Sequence, residues 1–165
     1  MEALNFKGTY HVECYGPDGQ LKWKDVVHNL VTTVGKNLAL DTILGNSAAG
    51  AVVMGLKGTG SAAAGDTQAS HAGWLEQGLA NAPTYTGNRP TPSFSAAAAG
   101  SKATSAAVSF AITSSGTVSG CFINIGGSAT KDNTTGTLFS AGDFSGGDKV
   151  VANLDTINVT YTLTA

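Results

Sequence analysis

The C-terminal stretch DTINVTYTLTA, Asp155 to Ala165, decides the class of fold. Ile157, Val159, Tyr161 and Leu163 share one parity, while Thr156, Asn158, Thr160, Thr162 and Thr164 share the other. Successive side chains of a strand point to opposite faces, so a period of two describes a strand with one face in a core and one hydroxyl-lined face in water. Burying each of the four apolar side chains contributes about 1.5–3 kcal/mol, in sum comparable with the net stability of a whole domain. The strand is therefore expected to be indispensable.

The same alternation opens the chain. In NFKGTYHVECY, Phe6, Gly8, Tyr10, Val12 and Cys14 oppose Lys7, Thr9, His11 and Glu13. GPDG at Gly16 to Gly19 supplies a turn, since Pro17 presets φ and Gly19 tolerates a positive one. LKWKDVVH then returns as a second strand with Leu21 and Trp23 on one face, completing a hairpin. In NLVTTVGKNLALDTILGN the apolar residues recur four apart (Val34 and Leu38, Ala39 and Ile43, Leu40 and Leu44), which predicts a helix over about residues 33–44 with one broad apolar surface. Thr32 or Thr33 caps its start, and Gly45 sits where a left-handed residue ends it. Gly35 costs roughly 1 kcal/mol relative to Ala, so this helix depends on packing against a sheet.

AVVMGLKG is a short buried strand, AAVSFAI alternates through Val108, Phe110 and Ile112, and TVSGCFINI is apolar on both faces, as a central strand covered on both sides would be. Between them, about 58–102 is rich in loop residues and holds Pro83, Pro90 and Pro92. Many short strands with Gly/Ser/Thr turns predict an all-β fold, an antiparallel β-sandwich or jelly roll with one helix packed on it. At 165 residues, the chain 1–165 is expected to form a single domain with its own core.

Composition narrows the role. Only 12% of residues are charged, about half the usual share, and Gly occurs 22 times. A weakly charged, hydroxyl-rich surface desolvates cheaply against a partner, which favours burial in an assembly. A formal net charge of −2 with no Lys/Arg run argues against nucleic acid. The opening MEALNFKGTY, with Glu2, does not read as a signal peptide, and no run has membrane-spanning length, so no membrane partner is expected. Cys14 and Cys121 lack metal or redox spacing and read as two core thiols, a disulfide being the alternative.

GDTQASHAGWLE, Gly65 to Glu76, concentrates the chemistry-bearing residues. His71 with Asp66 upstream has the composition of a base and its orienter, but a loop His bonded to a nearby Asp or backbone carbonyl accounts for the same residues. His11 reads as a surface residue of the first strand, and His28 as one at a strand end. No GxSxG, HExxH or P-loop pattern is present, and KDNTTG, Lys131 to Gly136, reads as a turn held by side-chain-to-backbone bonds rather than a calcium loop. No enzyme activity, cofactor or metal is expected. Trp74 either covers part of the core or anchors a contact. Asp66 and Thr67 shape the loop, and Glu76 and Arg89 carry opposite charges that can pair across it.

NLVTTVGKNLALDTIL, AVVMGLKG, AGDTQASHAGWLE and TTGTLFSAGDFSGGDKVVANLDTINVTYTLTA, in that order from Asn29 to the C-terminus, resemble tailed-bacteriophage virion proteins of the capsid cement or decoration family. The resemblance implies a β-sandwich on the exterior of an icosahedral head, made in the bacterial cytoplasm, bridging neighbouring major capsid protein subunits and forming a homo-oligomer, dimer or trimer. Asp66, His71, Trp74, Glu76, Tyr85 and Arg89 are then candidate interface residues or the architecture of an interface loop. The alternative is a tail- or fibre-associated virion protein that binds a receptor or glycan, with Trp23, Trp74, Tyr85 and Asn88 as saccharide contacts.

Overall fold

The computed structural model describes residues 5–165, so Glu2 and the start of the N-terminal reading lie outside the described residues. Eleven strands and one helix follow in chain order: β1 (Lys7–Tyr15), β2 (Leu21–Val31), α1 (Thr33–Ile43), β3 (Val52–Lys57), β4 (Glu76–Gln77), β5 (Ser101–Ala103), β6 (Val108–Ala111), β7 (Gly116–Val118), β8 (Gly120–Ile125), β9 (Thr137–Asp143), β10 (Lys149–Val151) and β11 (Thr156–Thr164). The main sheet runs β4-β3-β8-β9-β2-β1-β11-β5, with β6 also on β11, and all pairings are antiparallel.

The C-terminal strand lies inside one layer. β11 pairs with β1 along its whole length, from Lys7↔Thr164 to Tyr15↔Thr156, and carries β6 and β5 on its other edge. β2 belongs to both layers: it pairs with β1 as far as Asn29, then hands Leu30 and Val31 to β9. The front layer is therefore β2, β1, β11, β6 and β5, and the back layer is β9, β8, β3 and β4. Between them lie Tyr10, Val12, Cys14, Ile157, Val159 and Tyr161 from the front and Met54, Leu56, Cys121, Ile123 and Phe139 from the back, all buried. A hydrogen bond between the hydroxyls of Tyr10 and Ser140, 2.9 Å long, crosses the core and satisfies both. The period-two reading of the N- and C-terminal strands and of Val108, Phe110 and Ile112 describes this core directly.

The hairpin turn forms as its residues dictate, with Gly19 at φ 76° and its N–H bonded to the Gly16 carbonyl. The helix begins and ends where expected, with Thr32 as N-cap and Gly45 at φ 82°. Its packing differs from the expected broad apolar contact. Only Gly35 is fully buried, whereas Leu40, Ile43 and Leu44 are 48%, 64% and 79% exposed. The reason lies in a bulge in β9, where the register against β8 shifts between Ile123 and Asn124. The bulge frees the Phe139 carbonyl to accept the Thr32 N–H at 3.1 Å, while the Thr32 hydroxyl donates to the Leu138 carbonyl at 2.5 Å and accepts from Gly35 N at 3.0 Å. The helix start is hooked so tightly to the strand that a Cβ on residue 35 would overlap the Phe139 carbonyl oxygen.

TVSGCFINI is two strands rather than one. The chain breaks at Ser119, whose N–H donates to the Lys57 carbonyl and whose carbonyl accepts from Phe144 N; β7 pairs instead with β10 in a separate two-stranded sheet. The doubly covered character predicted for this stretch belongs to β8, which is buried from Gly120 to Asn124. β9, β10 and the last residues of β2 are strands that periodicity did not single out.

Gly35→Ala tests the hook. Helix propensity alone favours Ala by roughly 1 kcal/mol, but overlap with a backbone carbonyl reverses the sign, and urea unfolding should show a net loss of about 1–3 kcal/mol. A neutral or stabilising result would show that the helix start is not clamped.

Candidate functional site

The outer face of the back layer is apolar as well. Phe122, Leu138 and Ala141 point away from the main core and are buried beneath Trp74, itself 2% exposed, with the two rings 5.4 Å apart. The long connection between β3 and β5 supplies this cover. A loop laid over a sheet must satisfy its own polar groups, and its charged residues do so.

Asp66 holds the indole: its Oδ2 accepts the Trp74 Nε1–H at 2.9 Å and the Ala63 N–H at 2.9 Å. Thr67 closes the neighbouring turn, accepting the Ser70 N–H on its hydroxyl at 3.0 Å. His71 stacks on Trp74 with ring centroids 4.0 Å apart, and its Nδ1 lies 3.0 Å from the Trp74 carbonyl, which assigns the proton to that nitrogen. Asp66 and His71 are thus each bound to Trp74 rather than to one another. The composition of a catalytic dyad is present, but the dyad geometry is not.

Glu76 and Arg89 form a buried bidentate pair, Nε to Oε1 at 2.8 Å and Nη2 to Oε2 at 2.5 Å. Arg89 also donates to the carbonyls of Ser128 at 2.9 Å and Asn133 at 2.8 Å, and Glu76 accepts the Asp132 N–H at 3.0 Å. The pair therefore staples the long loop to the KDNTTG turn. In that turn Asn133 Oδ1 accepts from the N–H and hydroxyl of Thr135 at 2.9 and 2.5 Å, as a side-chain-to-backbone turn requires. Lys131 reaches from it to the Tyr85 carbonyl at 2.6 Å, with its ammonium 4.3 Å from the Tyr85 ring. Burial lowers the Lys131 pKa, and burial followed by the charge of Glu76 raises that of Tyr85.

Of the six interface candidates, Asp66, Trp74, Glu76, Tyr85 and Arg89 are buried within their own chain, and only His71 keeps part of its side chain at the surface. Among the saccharide candidates Trp74 and Tyr85 are buried, Trp23 is half-buried against Phe144, and Asn88 is exposed. Reasoning from sequence missed Lys57, which is fully buried in β3. It donates to the Gly58 carbonyl and the Ser119 hydroxyl, both at 3.1 Å, and pairs with Asp143. A lysine ending the apolar run AVVMGLK was the available signal.

A surface cleft of about 390 Å³ opens beside this cluster, between His71, Leu75 and Asn81 on one side and Asp132, Asn133 and Thr134 on the other. Among the described residues no group of three or more His, Cys, Asp or Glu is placed to hold a metal ion. The arrangement can order a loop and present its outer side chains, including the exposed Leu75 and Leu79.

The buried pair and the thiols give two measurable consequences. Glu76→Gln leaves the Arg89 charge unpaired and should cost about 3–5 kcal/mol in urea unfolding, whereas replacing both residues by leucine should cost much less than the two single losses combined. Cys14 and Cys121 are free and buried; burial, helped at Cys14 by Asp155, pushes their pKa values up to about 11 and about 12. The folded state holds these protons more tightly than the unfolded chain, whose thiols titrate near ~8.5. Their contribution to stability is therefore complete below that pH and is lost progressively as pH rises from there through the folded values of about 11 and about 12. Ellman's reagent at mildly alkaline pH should leave both thiols unmodified in the native protein and label both in denaturant; rapid native labelling would contradict this packing. No family model, curated protein or solved structure matches this chain.

Proposed function

We propose that the protein is a virion structural protein, a capsid cement or decoration protein that binds the outside of an icosahedral phage head and bridges neighbouring major capsid subunits. The observation that carries this reading is the burial of the chemically capable side chains. Asp66, Trp74, Glu76 and Arg89 hold a loop in one shape, while the outer surface offers aliphatic side chains such as Leu75 and Leu79 on that ordered loop.

Such a body suits cementing. A rigid loop loses little conformational entropy on docking, and a weakly charged surface loses little solvation. A standard contact of about 800 Å² per partner, repeated on several shell subunits, yields avidity beyond any single contact. Cross-linked subunits then separate only when the cement contacts break as well. In this role Trp74 and the Glu76–Arg89 pair act indirectly, by fixing the loop that docks.

Imaging particles of a phage that carries this sequence tests the proposal. Density for the sandwich is expected over the whole head at lattice positions between capsid subunits, and heads lacking the protein should rupture at lower temperature. Density confined to the tail or fibres would replace this reading with the receptor-binding one. Absence from the particle would overturn both.

A further inference from the structure

A second apolar surface lies elsewhere, along α1. A groove of about 450 Å³ runs beneath the C-terminal half of the helix, floored by Ile123, Ile125 and Phe139 and walled by Ala39 on one side and Leu163 on the other. Among the described residues Lys102 is the one charged residue lining it, and there its ammonium donates only to the Ser95 carbonyl, at 3.0 Å. Beside the groove the helix projects Leu40, Ile43 and Leu44 into solvent. Ile43 belongs to both features, lining the groove and protruding from its rim.

We infer that this face is the self-contact of the protein, a two-fold interface in which the exposed helix turn of one copy fills the groove of a second. A protrusion and a cavity side by side on one element are what an isologous contact needs, because a two-fold axis brings each to the other and closes the assembly at two copies. The charges agree. Asp41, exposed on the same helix turn, has no side-chain partner among the described residues, and no carboxylate pairs with Lys102 there; a two-fold contact that set each Asp41 beside the other copy's Lys102 would pair both charges. A small molecule seated in the groove would leave Leu40 and Leu44 in water, whereas a second helix covers both. Contiguous exposed apolar surface of this kind marks a protein contact.

The inference names the oligomer interface of the proposed shell protein and rests on that reading only for its biological setting. Sedimentation velocity of the full chain, from low to high micromolar, should give twice the chain mass. Ile43→Glu with Leu44→Glu should weaken association by about 100-fold or more, with the dichroism spectrum unchanged because both side chains are exposed. Asp41→Lys and Lys102→Asp should each weaken it, and together restore it. A wild-type monomer at every concentration, a trimer, or a dimer indifferent to the Ile43/Leu44 change would overturn the interface. A monomer that still decorates heads would remove the interface and leave the role; a dimer that never binds heads would do the reverse.

Discussion

The back layer of this sandwich is apolar on both faces, and most of the remaining architecture answers to that constraint. One face is covered by the front layer, which closes over it through the shared strand β2. The other face, with Phe122 and Leu138 at its centre, is covered by an irregular segment carrying Trp74. A segment without regular structure cannot satisfy its backbone through a ladder, so side chains must supply the partners. Asp66 and Lys57 do this for the segment itself, Glu76 and Arg89 for the turn on which it docks, and the charged cluster is a structural consequence of covering a hydrophobic surface with a loop.

The same demand alters the outer surface. The chain is poor in charge, yet Lys57, Asp66, Glu76, Arg89, Lys131 and Asp155 are buried. Asp155 accepts from the ammonium of Lys22 at 2.5 Å and from Ala152 N at 2.8 Å, fixing the entry to the C-terminal strand. Removing these groups from the exterior leaves a surface even less charged than composition suggests. Such a surface is matched by shape and apolar contact more than by long-range electrostatics, which fits a permanent protein partner better than a diffusing ionic ligand.

Helix α1 shows how a local feature takes its meaning from its neighbour. Its cap and terminator follow ordinary rules, and the β9 bulge pins its start. Pinned there, the helix lies at the edge of the sandwich, with Gly35 against the strand and its C-terminal turn overhanging a groove. The apolar periodicity of the helix is real, but much of that apolar surface remains uncovered within one chain.

The strands of the front layer and the helix limits were legible in the sequence because each rests on neighbours close along the chain: alternation in Ile157, Val159 and Tyr161, a turn at Gly16 to Gly19, a cap at Thr32. The pairing of Glu76 with Arg89 was legible as a possibility, since one loop held two opposite charges. Three features were decided only by the tertiary structure: that Trp74 faces inward, that Lys57 is buried among carbonyls, and that TVSGCFINI breaks at Ser119. Each depends on a surface contributed by residues distant in sequence, and periodicity records which face of an element is apolar without recording what comes to cover it.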